Sequence, residues 1–117
     1  MGELNRSTPI DESIGAGATV TVEVGASEQA VMVIFWTLVT GTPADIGDTE
    51  VRAVDPDGNV NVTPLTPEVI SAAAVAGPVC SEVHRYDVRG LSKVELSFEN
   101  ASGGALDGKV FVNHYWE

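Results

Sequence analysis

Basic residues are what this chain has least of. Two lysines, Lys93 and Lys109, and four arginines stand against seventeen Asp and Glu, a formal net charge of -11 over 117 residues. A field of that sign repels phosphate backbones and anionic headgroups, and no local basic cluster offsets it, so neither nucleic acid nor membrane is an expected partner. Cysteine is scarcer still. Cys80 stands alone, which rules out an intrachain disulfide and leaves burial and hydrogen bonding to hold the fold. Its neighbours Pro78, Val79 and Val83 mark a buried thiol rather than a reactive one. Long apolar runs are missing too: the longest, Ala30 to Trp36, is far too short to span a bilayer as a helix. Met1 to Ser13 lacks the basic start and apolar stretch of an export signal, which gives the expectation that the protein accumulates inside the cell that makes it.

The acids are scattered along the chain rather than gathered in a tail. A carboxylate excess with so little lysine suits a high-salt cytoplasm, because a strongly hydrated anionic surface stays soluble once salt has screened ordinary repulsion. A plain acidic soluble protein fits the same composition. The length fits one domain able to bury a core of its own.

The hydrophobic pattern is that of strands. From Ala18 to Val24 the residues alternate strictly, with Ala18, Val20, Val22 and Val24 on one side and Thr19, Thr21 and Glu23 on the other, as a half-buried strand requires. Ala30 to Val39 is apolar on both faces: Val31, Val33 and Phe35 point one way, Met32, Ile34, Trp36 and Leu38 the other. Such a strand lies between layers or is covered by another subunit. Short strands over Glu50 to Val54 and Val60 to Leu65 flank Asp55-Pro56-Asp57-Gly58-Asn59, which has hairpin turn chemistry. Thr66 as cap, Pro67 in the first turn and Gly77 as stop predict a short helix over Val69 to Ala76, with a strand as the alternative. Glu82 to Val88, Ser92 to Glu99 and Lys109 to Trp116 read as further strands. Met1 to Glu12, polar and containing Pro9, reads as an N-terminal arm ahead of a single domain over residues 13–117. The expected fold is all-β, an antiparallel sandwich or jelly roll with at most one short helix.

No constellation of catalytic residues emerges, and no enzyme activity is expected. Asp55, Asp57 and Asn59 gather oxygens in one turn, as calcium loops do, but the remaining ligands of such a site are lacking, so a plain turn is the simpler reading. His84, His114 and Cys80 lack the paired spacing of a zinc site. No nucleophile-elbow motif is present and the turn glycines open no helix, so no cofactor is expected. Trp36, Tyr86, Tyr115 and Trp116 could form a platform for sugar rings, although Trp36 lies in the most apolar strand and reads more simply as core. Asn5-Arg6-Ser7, Asn61-Val62-Thr63 and Asn100-Ala101-Ser102 fit the N-glycosylation pattern, which also arises by chance.

The segment Arg85-Tyr86-Asp87-Val88-Arg89-Gly90-Leu91 with Val94 and Leu96, then Asn100 and the closing Val110 to Tyr115 strand, resembles the C-terminal half of small β-sandwich structural proteins of tailed viruses. Gly15-Ala16-Gly17-Ala18-Thr19-Val20 is similar to them as well. The resemblance implies a non-enzymatic virion protein, of the capsid decoration or cement type, from a tailed virus of a salt-loving archaeon or a related phage. It would be made in the host cytoplasm and sit on the capsid surface as a homo-oligomer, a trimer first among the options, against the major capsid protein or other virion proteins. Val31, Val33, Phe35, Trp36, Tyr115 and Trp116 are the expected interface. The alternatives are a glycan-binding sandwich of a spike, turret or tail, and a head-tail connector component.

Overall fold

The computed structural model describes residues 4–116. Eight strands follow one another: β1 Leu4–Ile14, β2 Thr19–Gly25, β3 Gln29–Val39, β4 Ile46–Val54, β5 Glu68–Ala76, β6 Val79–Asp87, β7 Lys93–Asn100 and β8 Leu106–Trp116, with a single 3-10 turn, Pro43–Asp45, before β4. They form two antiparallel sheets, a five-stranded one in the order β1-β8-β3-β6-β5 and a three-stranded one in the order β2-β7-β4. Six of the seven connections between consecutive strands pass from one sheet to the other, as in a double-sheet jelly roll.

Alternation explains the core. Met32, Ile34, Trp36 and Leu38 of β3, with Val110 and Val112 of β8, fill the inner face of the large sheet, and Val94, Leu96 and Phe98 of β7 with Val51 of β4 fill that of the small one. Trp36 and Phe98 meet across the sandwich, ring centroids 5.5 Å apart. Val20, Val22 and Val24, the inward set of the first alternating strand, pack against this core half-buried.

Three segments depart from the sequence pattern. The expected arm over residues 1–12 is largely strand: from Leu4 the chain runs along β8, and Ile10 and Ile14 are buried in the core. Pro9 is tolerated because it lies inside the register shift between Ser7 and Ile10, where a missing N–H costs no ladder bond. Met1 to Glu3 of that arm lie outside the described residues. The helix expected over residues 69–76 is instead β5, paired with β6 through a Gly77-Pro78 turn in which Gly77 has φ +67°. The β-branched Val69, Ile70 and Val75 favour the pleated conformation, and a partner strand two residues away outweighs the helix preference of alanine. Val60 to Leu65 does not return as a strand; it makes one bridge, Val60 to Val54, and then covers the β4 edge through Asn61 N–H to Ala53 O and Leu65 N–H to Val51 O.

Candidate interaction face

The two outer faces differ in chemistry. Strand alternation turns Glu23, Lys93, Glu95, Glu99, Glu50 and Arg52 outward from the small sheet, so that face is charged and mostly anionic. The outward side of the large sheet is apolar at its centre. Register places Phe35 of β3 directly between Phe111 of β8 and Val83 of β6, Val33 between Asn113 and Arg85, and Val31 between Tyr115 and Asp87. All of the apolar members of these rows are half-buried within the chain. Arg6 of β1 closes one side, its Nε donating to Asn113 Oδ1 at 2.7 Å, and a dimple of about 120 Å³ lies between Arg6, Phe35 and Phe111. Beyond Phe35 the surface becomes polar again, where Thr37 and Ser81 hydroxyls bond at 3.0 Å. An apolar centre with a rim of Arg6, Arg85, Asp87 and Lys109 is the layout of a docking surface.

The expected interface residues therefore divide. Val31, Val33, Phe35 and Tyr115 share this face. Trp36 does not; as the neighbour of Phe35 on an alternating strand it points the opposite way and is wholly enclosed between the sheets. Trp116 also leaves the set, since it stacks on His114, ring centroids 5.9 Å apart, on the inner side of the sheet. The pattern reading missed Phe111 and Val83, and no local signal could have found them, because their part depends on which strands flank β3.

The turn at Asp55 is closed on itself. Asp55 Oδ1 accepts from the backbone N–H groups of Asp57 and Asn59, both at 2.9 Å, and Oδ2 accepts from the Asn59 amide at 3.2 Å. The N–H groups of Asn59 and its neighbours hold the Asp55 carboxyl below the usual carboxylate range. Both oxygens are thus engaged within the loop, and among the described residues no group of three or more His, Cys, Asp or Glu could hold a metal ion. A concavity of about 630 Å³ beside this turn is lined by Pro56, Asn59, Asn61, Leu91 and Ser92 among others, none of them aromatic.

The remaining polar side chains of interest are structural. His114 is buried, with Nδ1 2.8 Å from Gln29 Oε1 and Nε2 2.7 Å from Ser7 Oγ, and burial pushes its pKa down. His84 Nδ1 lies 3.3 Å from the Tyr86 hydroxyl and its Nε2 3.4 Å from Glu82 Oε1, which also accepts from Thr49 of the opposite sheet at 3.1 Å. Burial, with the Glu82 and Glu50 charges, raises Tyr86 well above its ordinary range. The Trp36 indole N–H faces this Tyr86 hydroxyl without a hydrogen bond of normal geometry to any described residue. Cys80 is a buried free thiol, as its neighbours implied. Asn100, one of the three glycosylation patterns, is fully buried and its amide nitrogen is occupied by the carbonyls of Ile14 and Gly104, both at 2.9 Å, so it is not an acceptor in the folded chain.

One solved structure shares this architecture at low identity, and others give weaker superpositions. A protein of the SPBc2 prophage, YomS, superposes with a TM-score of 0.56 and 16% identity, over 97% of this chain and 95% of that one. The VP2 subviral particle of infectious bursal disease virus gives 0.47 and 14% over 97% of this chain and 33% of VP2. A family GH115 4-O-methyl-alpha-glucuronidase gives 0.47 and 12% over 95% of this chain and 16% of the enzyme. The first of these defines the class: a small antiparallel two-sheet β-sandwich, matched over nearly its whole length. No protein-family model matches the chain. No curated protein matches it either.

Proposed function

We propose that this chain is a non-enzymatic structural protein of a virion, a capsid decoration or cement subunit that oligomerises through the outer face of its five-stranded sheet. The observation that carries the reading is the Phe111-Phe35-Val83 row with Val31 and Val33 beside it, an apolar strip on one side of a molecule whose opposite side is anionic. Neighbouring copies burying that strip would leave the carboxylates of the small sheet toward solvent. The full-length fold likeness to a prophage-derived protein supports a viral setting, and a trimer on the capsid surface is the arrangement we favour. Bound subunits would stabilise the shell by mass action, since they favour the assembled particle over the released one.

The glycan-binding alternative loses one of its aromatics, because Trp36 is enclosed in the core. Native mass spectrometry of the wild type and of Phe35→Glu tests the docking half of the reading, with an oligomer expected for the first and a smaller species for the second. Sedimentation of the chain with shells of purified major capsid protein tests the other half. Saturable co-sedimentation by the wild type, lost or weakened at least tenfold in Phe35→Glu, supports it, whereas no co-sedimentation overturns it.

A further inference from the structure

β5 is the outermost strand of the large sheet, bonded to β6 on one side and, among the described residues, to no strand on the other. Natural sheets blunt such an edge with lysine, proline or inward charge, because its free N–H and C=O groups recruit other strands. β5 has two register irregularities against β6 but, after Glu68, none of the charge or proline that guards such an edge. From Val69 to Ser81 the sequence contains no charged residue, in a chain that is 20% charged. The large sheet also overhangs the three-stranded one here. Val69 and Val75 lie across from His84 and Cys80, on the inner side of the sheet, yet are 58% and 51% exposed, and Ile70 is 53% exposed.

We infer that β5 pairs antiparallel with β5 of a second copy of this chain, across a two-fold axis at Ala72, joining two five-stranded sheets into one of ten strands. The sequence commits the edge to a second copy rather than to an unrelated strand because it is complementary to itself. Reversed about Ala72, Val69 meets Val75, Ile70 meets Ala74 and Ser71 meets Ala73. Both valines already share one side of the sheet, so in this register each covers the other's exposed surface. Charge points the same way. Two copies of net charge -11 repel, and an edge without charge keeps that repulsion away from the contact. Glu68, the lone acid of β5, is opposite Ala76 in this register. The two Glu68 carboxylates then stand at opposite ends of the ladder, roughly 27 Å apart along the strand at about 3.4 Å per residue. The register shifts against β6 after Val69 and after Ser71 add twist to the edge, which an isologous pair shares equally between its halves. One strand pair buries less than the roughly 800 Å² per partner of a standard interface, so the dimer is expected to be concentration-dependent.

This surface is separate from the apolar strip around Phe35, and the inference stands or falls without it. In the full chain, Ala72→Cys places one thiol opposite its own copy. Mild oxidation is expected to give a covalent dimer, with peptide mapping joining residue 72 to residue 72. Ala72→Pro, which removes the backbone N–H at the proposed axis, and Val75→Lys, which leaves the backbone intact and adds charge at an exposed position, are each expected to weaken self-association at least tenfold by sedimentation equilibrium. Phe35→Glu should leave the 72-to-72 cross-link in place. The inference is overturned if Ala72→Cys stays monomeric on oxidation or if Val75→Lys associates as strongly as the wild type. A wild-type chain that remains monomeric at high concentration, with β5 amides exchanging freely, overturns it as well.

Discussion

Asn100 ties three parts of the molecule together. Its amide nitrogen donates to Ile14 O at the end of β1 and to Gly104 O in the loop before β8, while its Oδ1 accepts from Ser102 N–H at 3.0 Å. Truncating a fully buried amide strands these partners without solvent. Asn100→Ala is therefore expected to lower the unfolding free energy by about 2–4 kcal/mol, read from the urea midpoint. Trp36→Ala should cost about 3–5 kcal/mol, because it empties the contact with Phe98 that spans the two sheets. His114 makes stability depend on pH in a definite direction. Burial lowers its pKa from the ordinary 6.5, so in the window just below that value the unfolded chain binds a proton that the native chain refuses. Stability is then complete above about 6.5 and declines as pH falls through the window below it. Urea titrations between about pH 7 and 5 should show that decline in the wild type and a shallower one in His114→Asn. Asp87 acts further down: the Arg89 side chain holds its pKa at about 2 against an ordinary 3.8, so its contribution, present above 3.8, is lost as pH falls toward 2.

Among the elements, β1 and β5 illustrate what local sequence conceals. The strands with clean alternation, β2 and β7, could be read directly, because a period of two with apolar residues on one side is set by the chain alone. β1 could not, since its inward residues Ile10 and Ile14 are few and Pro9 looks like a breaker until the bulge around it is known. β5 could not either, since alanine composition argues for a helix and only pairing with β6 decides otherwise. The same limit applied to the interaction face. Val31, Val33 and Phe35 were legible as one side of β3, whereas Phe111 and Val83 join them through long-range register. Trp36, read as core from its strand yet also placed in the expected interface, is core; a strand apolar on both faces does not by itself reveal which side is inward. The β1 assignment changes what truncation should do. Removing residues 1–14 takes away two core isoleucines and a whole ladder, so the product is expected to be unfolded by near-ultraviolet circular dichroism. A native spectrum would contradict the place of β1 in the sheet.

At the scale of the whole molecule, the anionic face of the small sheet and the apolar centre of the large one lie on opposite sides. Glu23 stands directly across from Glu95 on the small sheet, a like-charge pair only partly relieved by Lys93, 3.3 Å from Glu23, and by Arg52 on the neighbouring strand. Salt screens that repulsion and the repulsion between copies. Both the melting temperature and the degree of association are therefore expected to rise from low to high potassium chloride, the reverse of a chain held by attractive ion pairs. The fold class and the acidic character could be read from the sequence. The two-sidedness could not, because it emerges only when β8 and β6 are laid beside β3. The most direct test of the account is sedimentation velocity at high salt on the wild type beside Phe35→Glu. The account predicts an oligomer held by the Phe35 face, with Phe35→Glu folded but reduced to a smaller species. A wild type that sediments as a monomer at every concentration, or a Phe35→Glu that assembles as fully as the wild type, would contradict it.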